Sequence, residues 1–149
     1  MAAECETARM SDGEWSRQRA EAVRVQAERL AARQDAEHTR AEAMLRDFVA
    51  AAKTAGLAPE DLRVQGYGGR GTARTGLKGW YLRVDRTAGV STEGDFYVLT
   101  APVSLLDRVR GIRPDARRPP LILGAGGKDG ESVPLADVLD RLLPGRRPR

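Results

Sequence analysis

The chain has 149 residues, a formal charge of +4, 41% hydrophobic residues and only 5% aromatic residues, which suits a compact domain of roughly 90 residues carrying an appendage better than one core along the whole length. No 18-residue stretch is free of charge and no basic region followed by an apolar run opens the sequence, so neither a membrane-spanning helix nor a secretory signal is expected, and a cytoplasmic protein without a membrane partner is. The single cysteine, Cys5, permits no internal disulfide and reads as a spare surface thiol in a reducing compartment.

Residues 1–11 read as a flexible tail, with Ser11 or Asp12 as helix N-cap and Glu14 in the first turn. From Glu14 to Ala55 there is neither proline nor glycine, and Ala, Arg, Glu, Gln and Leu dominate, so one long helix is predicted over 12–56, closed by Gly56 and stopped by Pro59. At 1.5 Å per residue it would run to roughly 60 Å. In its second half Ala41, Met44, Leu45, Phe48, Val49, Ala52 and Ala55 form an apolar stripe that predicts docking on the rest of the protein. In its first half the stripe thins to Ala20, Val23, Ala27 and Leu30, and support comes instead from the alternating charges of Glu14, Arg17, Glu21, Arg24 and Glu28. That half is expected to project, as a weak coiled-coil strand pairing with a second copy or as a partner-binding arm.

Beyond Gly56 a small α+β domain is predicted over 57–144, ending in a basic tail at 145–149. "DLRVQGY" forms a first strand, and "GWYLRV" (79–84), "TAGVST" (87–92) and "DFYVLT" (95–100) form a three-stranded meander turning at Asp85-Arg86 and Glu93-Gly94. Trp80, Leu82 and Val84 alternate with Tyr81 and Arg83, and Phe96, Val98 and Thr100 with Tyr97 and Leu99, which gives the sheet one face for the helix stripe. "SLLDRVRG" is a short helix or an irregular segment, "LIL" a brief strand, and Ser132 and Pro134 open a last helix carrying Leu135, Val138, Leu139, Leu142 and Leu143. The predicted fold is α+β: a long N-terminal helix and a C-terminal helix packed on a small antiparallel meander.

Two glycine motifs mimic nucleotide sites. Gly66, Gly68 and Gly71 have dinucleotide spacing, with Asp85 at the acidic position, but Gly76 and Gly79 follow where a helix is required and the next element reads as strand. "LILGAGGKDGES" lacks the first glycine of a phosphate loop and has Asp129 where a hydroxyl is needed beside Lys128; Asp129 and Glu131 oppose an anion there. His38, the one histidine, lies in the most polar stretch of the long helix with only Glu42 at ligand spacing, and reads as surface. Asp85, Glu93 and Asp95 fit turn positions without invoking acid/base chemistry. No catalytic residue, metal ligand or cofactor is assigned, and the protein reads as non-enzymatic.

The positive signal is electrostatic. Residues 1–61 carry nine basic against twelve acidic residues, which leaves +7 for 62–149, and all the basic residues but Lys53, Lys78 and Lys128 are arginine. A GC-rich genome explains arginine in place of lysine but not its clustering. Arg63, Arg70, Arg74, Lys78, Arg83 and Arg86 face a single acid, Asp85, and interleave with Tyr67, Trp80 and Tyr81. Arginine with aromatics on a glycine-rich scaffold suits phosphate contact and base stacking. These residues, with Tyr67, are the candidate nucleic-acid or ribosomal-RNA site, and Arg108, Arg110, Arg113, Arg117, Arg118 and the terminal Arg146, Arg147 and Arg149 add to the charge. The alternative is a protein-protein adaptor or homodimer using the long helix.

The succession of an Arg/Ala/Glu helix, "GYGGRGTARTGLKGWYLR", "GDFYVLT" and "PPLILGAGGKDGES" before a leucine-rich helix resembles a group of small proteins of high-GC actinobacteria, over about residues 40–143. The resemblance implies a bacterial cytoplasmic setting and transfers no site residue.

Overall fold

The computed structural model describes residues 11–124 and 132–145, and its contacts divide the chain into two compact units, Met1–Ala36 and Glu37–Arg149. The expectations placed on Cys5, on Lys128, Asp129 and Glu131, and on the terminal arginines lie outside the described residues. The fold is α+β, with a four-stranded antiparallel sheet flanked by helices. Among the described residues no helix is long and apolar enough to cross a membrane.

Helix α1 runs from Asp12 to Ala55, and both ends are fixed by the residues the sequence singles out. The Glu14 amide donates to Ser11 Oγ at 3.2 Å and the Ser11 amide to the Glu14 carboxylate at 3.3 Å, a reciprocal capping box. At the other end Gly56 adopts φ 74°, its amide donates to the Lys53 carbonyl and the Leu57 amide reaches back to the Ala52 carbonyl at 2.9 Å, the six-to-one closure that a left-handed glycine permits. Leu57 then packs on the core.

In the first unit none of the described residues is buried. Arg24 bridges Glu21 and Glu28 there, whereas Arg17 leaves the expected ladder and donates through Nε to the Gly13 carbonyl at 3.3 Å. In the second unit Ala41, Leu45, Phe48, Val49 and Ala52 are buried as the stripe predicts. Ala55 is exposed, because the chain turns away at Gly56.

Strands β1 (Glu60–Gln65), β2 (Thr72–Tyr81), β3 (Ala88–Ser91) and β4 (Phe96–Val98) lie in sequence order, each antiparallel to the next, and a 3-10 turn over Tyr67–Gly69 joins the first two. β2 begins at Thr72 rather than Gly79; its glycines hide it from a pattern reading, although Gly79 is needed because a Cβ there would collide with the Val90 carbonyl of β3. The ends of the meander meet. Gln65 bridges Thr100, with the Gln65 amide donating to the Leu99 carbonyl at 2.8 Å and the Ala101 amide to the Gln65 carbonyl at 3.1 Å.

Apolar residues gather on both faces of this sheet. Trp80, Leu82, Ala88, Val90 and Phe96 meet Leu45, Phe48 and Val49 of α1, where the Phe48 and Trp80 rings stand edge to face at 5.6 Å. On the other face Leu62, Val64, Tyr97 and Leu99 gather Leu77, Tyr81, Val103 and Ile112. The sequence predicts one apolar face; Tyr97 and Leu99 furnish a second. Val84 is not in the sheet, since the strand stops at Tyr81 and Val84 lies 88% exposed in the turn.

The undecided segment is helix α2, Leu105–Arg110, started by a capping box between Ser104 and Asp107. β5 (Ile122–Leu123) pairs with β6 (Val133–Pro134), and helix α3 (Leu135–Leu142) buries Leu135, Val138 and Leu139 in the first core. Pro134 closes β6 as the N-cap instead of opening the helix, because the Leu135 amide is held by the Leu121 carbonyl at 2.7 Å. His38 is not a free surface residue. Its Nδ1 lies 2.8 Å from the Pro119 carbonyl, so Nδ1 carries the proton and donates. Arg118 grips the same stretch of α1 through Glu42 at 2.7 Å and Thr39 at 3.2 Å.

Candidate nucleic-acid interface

β1 and β2 leave register between Asp61 and Arg63: Asp61 lies opposite Lys78, whereas Arg63 lies opposite Arg74. Thr75, Gly76 and Leu77 therefore share one partner residue, Leu62, and Gly76 supplies the positive φ of 74° that this bulge requires. Side chains replace the missing ladder bonds. Buried Thr75 donates through Oγ1 to the Leu62 carbonyl at 2.7 Å and accepts from the Leu77 amide at 3.1 Å. The Arg63 amide donates to Tyr81 Oη at 2.8 Å.

The bulge leaves two arginines directly across from each other on exposed positions. Like charges in a cross-strand pair are unfavourable, and the acceptors they meet among the described residues are neutral: Arg63 Nε donates to Thr72 Oγ1 at 3.1 Å and Arg74 Nη2 to the Val109 carbonyl at 3.1 Å. The Val109 bond belongs to a seam that carries α2 against β2. The Ile112 amide donates to the Arg74 carbonyl at 2.7 Å. Gly111, at φ 88°, passes so close that a Cβ would lie 2.6 Å from that carbonyl oxygen.

Arg108 extends from α2 onto Gly71, where any Cβ would strike its guanidinium group. Gly71, at φ 81°, ends the loop that presents Arg70 and Tyr67, the latter 60% exposed. Arg74, Arg110 and Arg113, with Thr75, Gly76, Gly111 and Ile112, line a cleft of about 390 Å³. The fold thus brings Arg63, Arg70 and Arg74 together with three arginines of the second sequence cluster. Among the described residues no carboxylate forms a salt bridge with any of Arg63, Arg70, Arg74, Arg108, Arg110 or Arg113.

The remaining candidates are placed differently. Lys78 shares the outward side of β2 but stands opposite Asp61. Arg83 lies in the turn after β2, bound to Asp85 at 3.3 Å, with its Nη1 buried and without an acceptor. Arg86 takes φ 63° and lays its guanidinium 5.2 Å from the centre of the Tyr81 ring. From Arg74 to this turn the strand covers roughly 25 Å. Trp80 is a core residue, and Arg118 is committed to Glu42.

Asp85 organises the turn. Burial raises its carboxyl, but hydrogen bonds from the Thr87 hydroxyl and amide and from Arg83 outweigh that and hold it below the ordinary carboxylate value. Asp107 is lowered by the Ser104 amide and hydroxyl. Tyr97 is raised by burial and by nearby Asp95 and Glu93. Among the described residues no three of His, Cys, Asp and Glu gather into a metal-binding group. The Gly66–Gly71 loop leads into strand β2 and not into a helix, so the geometry that would seat a pyrophosphate is missing. No protein-family model matches the chain, and comparisons with curated proteins and with solved structures likewise find no match.

Proposed function

We propose that the protein is a non-enzymatic nucleic-acid-binding module of the cytoplasm, holding the phosphates of RNA or DNA, ribosomal RNA included, on the arginine face built from β1, β2 and α2. The observation that carries the reading is the Arg63–Arg74 cross-strand pair, two like charges held opposite each other with no carboxylate bridge among the described residues. A fold gains nothing from that arrangement, and a polyanion relieves it. Arg70, Arg108, Arg110 and Arg113 extend the same face, and exposed Tyr67 offers a ring for a base.

The test is binding of RNA and DNA fragments across a salt series. The wild type is expected to bind at low salt with little sequence preference, and R63A/R74A to bind more weakly with a log-log salt slope shallower by about one per lost phosphate contact. Unchanged affinity and slope in that variant refute the assignment. R83A/R86A tests whether the far turn of β2 belongs to the site.

A second reading rests on α1 within the first unit, where Trp15, Val23 and Leu30 are 51%, 68% and 55% exposed. The positions flanking the Ala20–Val23–Ala27–Leu30 seam include Arg19, Arg24 and Arg33, so self-pairing sets arginine against arginine. A helix with acidic flanks is the better complement, and the arm then serves as a protein adaptor. Sedimentation decides about self-association: a concentration-dependent dimer overturns this choice of partner.

A further inference from the structure

Helix α2 is mounted with its apolar side outward. Leu105, Leu106 and Val109 are 77%, 56% and 71% exposed, and no residue of the helix is buried. At about 100° per residue these three occupy one arc of about 100°, with Arg108 some 60° beyond one edge and Arg110 about 40° beyond the other. Asp107, the helix's one acid, is turned into the capping box, its carboxylate accepting from the Ser104 amide at 3.0 Å. What joins α2 to β2 is polar: the Arg74–Val109 and Ile112–Arg74 hydrogen bonds and the Arg108 guanidinium on Gly71. Three large apolar groups that the sheet's cores leave unused form a ridge, rimmed on both sides by cations.

We propose that this ridge reads unpaired nucleotides, with Arg74, Arg108, Arg110 and Arg113 holding the phosphates of a single strand while Leu105, Leu106 and Val109 receive the faces of its bases. The proposal rests on the nucleic-acid reading above and narrows it to single strands. The occupant has to present negative charge and apolar surface side by side. A duplex stacks its bases inside and shows a convex protein surface mainly phosphate and sugar, so the ridge would be pressed against charge. A single strand turns its bases out, and Tyr67, on the loop that ends beneath Arg108, provides a further stacking surface. An anionic bilayer supplies both chemistries too, but a flat surface resting on the ridge does not enter the cleft lined by Arg74, Arg110 and Arg113.

The experiment measures binding of the full chain to a short fluorescent single-stranded RNA, to the same sequence closed into a duplex, and to vesicles of phosphatidylcholine and phosphatidylserine in equal parts. The wild type is expected to prefer the single strand by about tenfold, as one or two base contacts supply. L105Q/L106Q/V109Q, which keeps good helix formers on exposed positions, is expected to lose about tenfold on the single strand, with duplex binding and salt slope unchanged. R110A/R113A weakens both RNAs and flattens the slope by about two. Equal affinity for single strand and duplex, or a ridge variant that binds the single strand like the wild type, overturns the inference while leaving the nucleic-acid reading in place. Binding to neither RNA overturns both. Vesicle binding that the ridge variant abolishes assigns the ridge to a lipid surface and overturns the inference as well. Because the wild-type comparison needs no substitution, it decides the question even if the ridge variant is unstable.

Discussion

Thr75→Val is a volume-conserving change that should look harmless by hydrophobicity, yet the bulge makes it costly. The Thr75 hydroxyl serves two backbone groups at once, the Leu62 carbonyl at 2.7 Å and the Leu77 amide at 3.1 Å, and its residue is only 6% exposed. Valine leaves both without that partner, at about 1–3 kcal/mol for each buried unsatisfied group. The methyl that replaces the hydroxyl returns about 0.8 kcal/mol. The net expectation is a loss of about 1–5 kcal/mol, larger than that of Thr75→Ser, which keeps the hydroxyl and gives up one methyl. Chemical denaturation followed by the fluorescence of buried Trp80 measures both, with Trp15→Phe as the background that removes the exposed tryptophan. If the valine variant equals or exceeds the wild type in stability, or the serine variant is the weaker of the two, the bulge is not held by this hydroxyl.

Phe48→Ala, at a fully buried site with its ring against Trp80, is expected to cost about 3–5 kcal/mol in the same assay, and a change below about 0.5 kcal/mol shows that α1 does not dock there. Arg63→Thr removes one member of a like-charged pair on an exposed strand position; stability is expected to hold or to rise by up to about 1 kcal/mol while RNA affinity falls, and a clear loss of stability refutes the idea that the pair is unfavourable. For Asp85, whose folded carboxyl titrates below its ordinary value of 3.8, the stabilisation is complete above that value and disappears as pH falls through the lowered one, so Asp85→Asn flattens the acid limb of a stability-pH profile and leaves its shape near neutrality alone. Gly71→Ala combines a φ of 81° with a collision against the Arg108 side chain; weaker RNA binding is expected, and a variant that melts and binds like the wild type shows that Arg108 has no fixed place on the loop.

The sequence was most readable where structure is local. Ser11 with Glu14 and Gly56 mark the ends of α1, and the three-and-four spacing from Ala41 to Ala52 marks its buried side, because capping and helical periodicity depend on neighbours a turn away. Strand alternation likewise marks Trp80, Leu82 and Phe96 as one sheet face, whereas Val84 and Val98, expected beside them, are 88% and 39% exposed because the strands end before they can be covered. The first half of β2 was hidden by Gly76 and Gly79, residues demanded by a bulge and by a close strand, neither of which exists until β1 and β3 are in place. His38 looked free because its partner is a backbone carbonyl 81 residues away, and a carbonyl leaves no trace in sequence. The arginine face shows both limits at once. Arg63, Arg70 and Arg74 stand out as a local run, whereas the arrival of Arg108, Arg110 and Arg113 depends on bonds from Arg74 to the backbone of Val109 and Ile112.

The bridge between Gln65 and Thr100 bears on solubility at high concentration. An open four-stranded meander has two outer strands whose unpaired amides and carbonyls can recruit another chain. Here the tail of the first strand and the residues following the last satisfy each other, and Arg117, whose amide donates to the Phe96 carbonyl at 2.8 Å, blocks part of what remains of β4. These bonds shorten the stretch of edge that could template edge-to-edge growth. A proline at Ala101, which deletes the amide that donates to the Gln65 carbonyl, would lengthen the exposed edge and is expected to raise aggregation at high concentration, read by light scattering.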